Sequence, residues 1–340
     1  MTTLVNILYH HLQLEMSIAT LFMDNRPKRV LFIFLQKIRG VILSKMTNRL
    51  RSAQYVSELE SIFKCPICDS SMSVYNLQSL VCSNRHTYDF SKQGYINLLA
   101  HPIKTKYGND LFEARRRLIA EGSFFQPLSQ AIIEIIKNHL PMKNDAFILD
   151  TGCGEGSHLS HICDNVSADL EKPIYGVGID ISKEGVLAAA KNYTNKGWLV
   201  ADLANTPFQK NQFDIILNIL SPSNYAEFNR LLKEDGLVIK VVPQTDYLKE
   251  LREIVYDEPE KQSYSNTDTV DLFNENFQLV NTSRIRYTMR LDNQLIQALV
   301  RMTPLTWGAS EEKFMDFLKQ ESAEITVDLE ILVGKKVCQE

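Results

Sequence analysis

The chain lacks any long apolar run. Its most apolar stretch, Val30–Leu43, is broken by Gln36, Lys37 and Arg39. The uninterrupted part, Val30–Leu35, is far too short to cross a bilayer. A cleaved export signal does not fit either. Acidic Glu15 and Asp24 precede the apolar residues, and no small-residue cleavage site follows. An excess of one charge is also missing. The 37 Lys and Arg stand against 41 Asp and Glu, a net charge of −4, so any nucleic-acid contact must rest on local basic patches. Cysteine is sparse, with six among 340 residues: three cluster at 65, 68 and 82, and the rest scatter at 153, 163 and 338. That is no disulfide framework, and it suits a reducing cytoplasm. Low-complexity composition is absent as well. At 44% hydrophobic residues the chain can bury a proper core, and its length predicts two folded units. Residues 1–60 form an N-terminal extension without an assignable function. An amphipathic surface helix, or a start at Met46 close before the first cysteine pair, would account for them.

What is present begins with the cysteine cluster. Cys65-Pro-Ile-Cys68, Cys82 and His86 follow the pattern C-x2-C-x13-C-x3-H. Zinc takes four thiolate or imidazole ligands at tetrahedral corners, and each knuckle supplies two of them. Val74, Tyr75, Leu77, Leu80 and Val81 supply strand-like material between the knuckles. Four protein ligands close the site, which makes the metal structural and not catalytic. Free cysteines in a small apolar cluster are the plainer alternative. A redox C-x-x-C is disfavoured by the second knuckle and by the absence of a βαβ context. This module spans residues 61–100.

A helical linker, residues 101–140, follows. A loop with Lys104, Lys106 and Gly108 precedes a helix over Leu111–Glu121 that carries Arg115, Arg116 and Arg117. Three consecutive arginines cannot share one helix face, so at least one is free to reach phosphate, unless all three are simply solvated. Gly122 ends that helix, and Phe124, Phe125 and Pro127 lead into an apolar-periodic helix, Leu128–Leu140.

Residues 141–340 are organised around Ile148–Gly156, ILDTGCGEG: a buried strand ending at Asp150, then alternating glycines at 152, 154 and 156. Glycine there lets backbone N–H groups approach a ligand closely. A dinucleotide fingerprint would place its third glycine at position 157, which is Ser157. The pattern D-x-G-x-G-x-G instead resembles motif I of class I S-adenosylmethionine (SAM) methyltransferases. A helix then runs through His158–Cys163, and a polar insert, Asp164–Pro173, precedes the second strand, Ile174–Ile179. Asp180 at its end suits the vicinal hydroxyls of a ribose. It lies 28 residues beyond Gly152, more than the usual ~20, and the insert accounts for the excess. Ser182 caps the next helix, Lys183–Tyr193. Trp198–Ala201 is the third strand, followed by Asp202, placed for an adenine amino group. Phe213–Ile219 is the fourth strand, so Asn218, Ser221 and Pro222 at its C-terminal end line the acceptor pocket. Leu231–Gly236 reads as a helix end and turn, Leu237–Val242 as the fifth strand, and Tyr247 lies beyond it. In the tail, Arg284, Arg286 and Arg290 share one face of a strand, Leu295–Met302 is helical, Trp307 packs on the core, and Ala323–Val333 completes the sheet.

The ordered set CPIC, CSNRHTYDFSKQGYINLL, ARRRLIAEG, QPL, LDTGCGEG, YTMRL and MTPLTW resembles the RlmA/TlrB family of bacterial large-subunit ribosomal RNA (guanine-N1)-methyltransferases, from about Phe63 to the C-terminus. The resemblance implies a Rossmann-like class I SAM-dependent methyltransferase domain of α/β fold, preceded by a small zinc-binding domain for RNA recognition. It implies SAM and zinc as cofactors, a hairpin-loop guanine of 23S rRNA as substrate and a homodimer, while the short apolar runs predict no membrane. Matched residue by residue, it places Cys65, Cys68, Cys82 and His86 on zinc. Gly152, Gly154, Glu155, Gly156, His158 and Asp180 fall on the cofactor side, with Phe125 as an aromatic against it. Tyr247 stands where some members have histidine, and Asn218 where some have arginine. The implied reaction is in-line attack of guanine N1 on the SAM methyl group. No residue stands out as the base that takes the N1 proton. A covalent cysteine route is disfavoured, since Cys153 and Cys163 read as small buried hydrophobes. The rival classes are a small-molecule or protein methyltransferase and a non-catalytic RNA-binding relative.

Overall fold

The computed structural model describes residues 46–101, 103, 107–141, 145–258 and 264–337. Val30–Leu43, Lys104, Lys106 and Cys338 lie outside the described residues. From Thr47 onward the chain forms one compact unit. It opens with helix α1 (Asn48–Ser57), capped by the Thr47 hydroxyl. This helix falls inside the first 60 residues, yet it is part of the fold. Its buried face carries Ala53, Tyr55 and Val56, and the Tyr55 hydroxyl donates to the Gly176 carbonyl and accepts from the Gly176 N–H.

A small antiparallel sheet follows: β1 (Met72–Tyr75), β2 (Ser79–Cys82) and β3 (Thr87–Asp89). The turn between β1 and β2 holds Asn76 and Leu77 both at φ 53°, the double left-handed step that matches hairpin twist. Strand β4 (Ile96–Asn97) then pairs in parallel with the edge of the main sheet. A strand of two residues leaves no periodicity in the sequence. Helices α2 (Asn109–Arg116) and α3 (Gln126–His139) come next, with a π-helical turn at Arg117–Glu121 after α2.

The alternating region gives β5 (Ala146–Thr151), α4 (Ser157–Leu170), β6 (Ile174–Asp180), α5 (Lys183–Asn192), β7 (Gly197–Val200) and β8 (Phe213–Ile219). After them come α6 (Tyr225–Leu231), β9 (Leu232–Pro243), α7 (Lys249–Val255) and α8 (Thr267–Asn276). The tail adds β10 (Phe277–Asp292), α9 (Asn293–Met302), α10 (Glu311–Leu318) and β11 (Ser322–Lys336). The eight-stranded sheet has the order β10-β11-β9-β8-β5-β6-β7-β4. Strands β4 to β9 run parallel, and β11 is antiparallel to both of its neighbours. The order reverses between β5 and β8, the switch point at which open α/β sheets bind ligands.

Three expectations change here. The expected polar insert at Asp164–Pro173 is mostly helix, since α4 continues to Leu170 and Glu171 breaks it at φ 53°. Its polarity marks a solvent face, where Asp164 meets Lys196 at 2.7 Å. The expected turn over Leu231–Gly236 is already strand from Leu232, with a register irregularity against β8. Trp307 does not pack in the core, being 43% exposed.

One core lies on each sheet face. One packs α3, α4, α5 and α9 against Ile148, Leu217 and Ile239. The other packs α1, α6 and the zinc-type module against Leu149, Val177 and Ile216, so Cys65, Met72, Leu80 and Cys82 share a core with the sheet.

Candidate active site and zinc centre

In the small module, Cys65, Cys68, Cys82 and His86 bring their ligand atoms within 4.8 Å of one another. Cys68 Sγ and Cys82 Sγ lie 3.7 Å apart. His86 Nδ1 lies 3.5 Å from Cys65 Sγ and 3.4 Å from Cys82 Sγ. A tetrahedron with Zn–S bonds of about 2.3 Å has edges of about 3.8 Å, and Zn–N bonds shorten the mixed edges. The cluster therefore fits zinc, with Nδ1 as the imidazole donor. Two left-handed residues shape the knuckles, Asp69 at φ 56° and Arg85 at φ 65°. They let the Asp69 N–H reach the Cys65 carbonyl and the Arg85 N–H reach the Cys82 carbonyl. The module is fixed to the sheet side by Phe63 against Phe208 and by the Lys64 N–H on the Pro207 carbonyl.

The second site forms where β5 and β6 end. Gly152, Gly154 and Gly156 all have positive φ, at 74°, 54° and 84°. Side chains are barred at two of them on contact as well as conformation. A Cβ on Gly152 would fall on the Ser221 hydroxyl, and one on Gly156 would lie 2.5 Å from the Trp198 ring. The Asp180 carboxylate accepts the Gly154 N–H at 2.9 Å and the Ser182 N–H at 2.8 Å, each through a different oxygen. Asp202 follows two residues after β7, accepts the Ala204 N–H, and lines a cavity of about 140 Å³ with Pro66, Leu98 and His101.

Glu155 is fully buried and accepts the Ser157 N–H and hydroxyl. Arg115 reaches in from α2, its Nε 3.6 Å from Glu155 Oε1. His158, on the first turn of α4, is buried beside Phe125 with ring centroids 5.4 Å apart. Buried polar atoms around the loop lack hydrogen-bond partners: Arg115 Nε, Glu155 Oε1 and both His158 ring nitrogens. Arg115 Nε and Glu155 Oε1 at least face each other as an ion pair, so the two His158 nitrogens are the groups left open for a ligand. Burial pushes Asp150 up to about 7 and raises Glu155 and Asp180 as well, with Arg115 opposing in each case. Burial, with Arg115 and His161 nearby, holds His158 down to about 3. Three carboxyls against one guanidinium repel a pyrophosphate, whereas a cofactor bearing sulfonium and ammonium charges suits them. Those residues fit SAM.

Just past the end of β8, Ser221 lies against Gly152, and Pro222 is exposed. Asn218 is buried and fully engaged. Its amide donates to Thr151 Oγ1 and to the Pro222 carbonyl, and its Oδ1 accepts from Ser223 and from Lys240 Nζ at 2.7 Å. Tyr247 is partly buried, and burial pushes its phenol up to about 12. Sequence reasoning missed Lys240, which sits opposite Asn218 in the β8–β9 register and is buried enough to be held down to about 8. It also missed the inward turn of Arg115. Arg116 is held by Glu113 and Glu121, and Arg117, 46% exposed, meets Glu121 only at 3.7 Å. Cys153 and Cys163 are buried and pushed well up by burial, Cys163 to about 12, as expected of packing residues.

Two family models match the chain. One, described as RlmA, N-terminal, covers residues 63–108, and one described as Methyltransferase domain covers residues 148–236. A putative 23S rRNA (guanine-N(1)-)-methyltransferase of Bacillus subtilis is 50% identical over 278 residues, which cover 81% of this chain and 98% of that protein. The chain belongs to the RlmA family. Its fold is that of a class I SAM-dependent methyltransferase with an N-terminal zinc ribbon. The 23S rRNA (guanine(748)-N(1))-methyltransferase of Streptomyces fradiae is 28% identical, covering 72% of this chain and 85% of that one. A putative 23S rRNA (guanine-N(1)-)-methyltransferase of Micromonospora griseorubida is 24% identical, covering 80% and 96%. The zinc-ribbon match encloses all four cluster residues of this RlmA-family chain, and the methyltransferase match encloses the glycine loop, Asp180 and Asp202.

Proposed function

We propose that this chain methylates N1 of a guanine in 23S rRNA. The observation that carries the reading is the pairing of two sites in one compact unit, a three-Cys, one-His ribbon and a glycine loop whose Gly154 N–H is held by Asp180. SAM supplies a methyl group on a sulfonium, already strongly electrophilic, so the chain's work is to bind and orient. In this reading Asp180 takes the ribose hydroxyls on its remaining lone pairs, and Asp202 the adenine edge. Phe125 and His158 pack beside the methionine part, and Arg115 pairs with its carboxylate. Tyr247 borders the same space.

Asn218 and Lys240 brace the Ser221–Ser223 turn from behind. Ser221 and Pro222 face the acceptor. The guanine leaves any stack cheaply in a loop, and its N1 proton departs during transfer. The ribbon, residues 61–100, recognises RNA in this scheme. The segment 101–140 links it to a methyltransferase domain over 141–340. The chain acts in the cytoplasm, where its RNA resides, and pairs as a homodimer, which sedimentation tests. No helix among the described residues is long and apolar enough to cross a membrane.

Primer extension across 23S rRNA from a deletion strain decides the function. N1-methylguanine cannot pair and stops the polymerase. The expected result is one stop present in the parent, absent from the deletion and restored by the plasmid-borne gene. Identical stops in parent and deletion strains refute the reading.

A further inference from the structure

Beside the cofactor loop the surface carries two large exposed rings in contact. Tyr107 and Trp307 are 39% and 43% exposed, with centroids 5.5 Å apart and planes at 59°. They sit at adjoining ends of α2 and α9, Tyr107 just before the one and Trp307 just beyond the other. The turn that carries Trp307 is hydrogen-bonded. The Thr306 hydroxyl donates to the Val300 carbonyl at 2.7 Å, and the Trp307 N–H closes a turn on Pro304. Tyr107 meets Phe112 edge-on at 6.3 Å, and Phe112 packs over Gly154 and Gly185. A line of aromatic rings thus leads from open solvent to the glycine loop.

From the same helix pair opens a groove of about 110 Å³ lined by Arg117, Arg301, Gln294 and Gln297. Its one carboxylate, Glu113, is held by Arg116 through two hydrogen bonds, so the groove presents net positive charge. Exposed rings beside cations and amides match unpaired RNA, whose bases stack on aromatic faces while its phosphates meet arginine. A duplex keeps its bases stacked internally and offers no such face.

We propose that Tyr107 and Trp307 form a stacking platform for unpaired bases next to the target guanine, with Arg117 and Arg301 on the adjoining backbone. This rests on the RNA-methyltransferase reading above. The test uses the full chain, a synthetic RNA stem-loop with an unpaired guanine, and the same strand annealed to its complement. Only two tryptophans exist, and Trp198 is 1% exposed, so quenchable emission comes from Trp307. The stem-loop quenches it and the duplex does not. Trp307→Ala raises KM for RNA by about 5- to 160-fold, the worth of stacking one base. SAM affinity by calorimetry stays unchanged, showing that the variant is folded, and Trp307→Phe recovers most of the loss.

An unchanged KM for RNA in Trp307→Ala overturns the platform. So does emission that shifts with protein concentration alone, which would put a second copy on the rings. If the wild-type chain leaves 23S rRNA unmethylated, the functional reading fails separately. The quenching titration and the stem-loop affinity of Trp307→Ala then decide the platform by themselves.

Discussion

The Asp180 carboxylate holds the Gly154 N–H at 2.9 Å, so the acid at the end of β6 ties down the glycine loop at the end of β5. One residue thereby shapes the loop and, in the proposed reading, also presents an acceptor to the ribose. Asp180→Ala is expected to abolish SAM binding, since it removes both. Asp180→Asn keeps one oxygen but loses charge, and should bind more than tenfold more weakly than the parent. Isothermal calorimetry measures this directly. Parental affinity in Asp180→Ala would refute the assignment.

Arg115 and Glu155 make a second testable pair. Glu155 is almost fully buried, and Arg115 is the cation that faces it. Arg115→Met leaves that carboxylate uncompensated and should lower stability by about 3 kcal/mol, the low end for breaking a buried pair. Urea denaturation reads the change. Adding Glu155→Gln, which cannot carry charge but still accepts from Ser157, should return most of it. If Arg115→Met is as stable as the parent, the Ser157 hydrogen bonds alone hold Glu155.

Both pairs show what the sequence makes legible. The glycine loop and the cysteine–histidine cluster are local patterns, each written in a short window with fixed spacing, whereas Asp180 is marked only by its place at the end of the second strand. Arg115 and Lys240 are different. Arg115 is one of three adjacent arginines, and which of them turns inward depends on how α2 docks over the loop. Lys240 interrupts an apolar strand, a signal that something polar faces it, but its partner Asn218 belongs to another strand and is named only by the β8–β9 register. Trp307 misled for a related reason. Large aromatics are usually buried, and only the placement of Tyr107 shows why this one stays at the surface. Strand β4 is too short to carry a period.

Metal content gives the third prediction. One zinc per chain should be found by elemental analysis, and Cys68→Ser should lose it. Cys65, Met72, Leu80 and Cys82 belong to the core that also contains Phe63 and Phe208, so metal loss should lower Tm by several degrees instead of merely freeing a surface loop. Full metal content in Cys68→Ser would remove that residue from the ligand set.

His158 sets a pH dependence. Burial, Arg115 and His161 hold it down to about 3 from its ordinary 6.5, so the folded chain keeps it neutral. The unfolded chain takes up the proton first as pH falls. Stability from this residue is therefore full above about 6.5 and declines toward 3, by at most ~1.4 kcal/mol per pH unit. Carboxylates titrate in the same window, so the comparison must be with His158→Asn, which keeps a polar group beside Phe125 but no titratable one. Urea midpoints at pH 7, 5 and 4 should fall more steeply in the parent than in the variant. Parallel profiles for parent and variant would mean that His158 protonates without leaving its place. The space around its ring would then have to admit water, and the orphaned nitrogens would no longer mark a ligand.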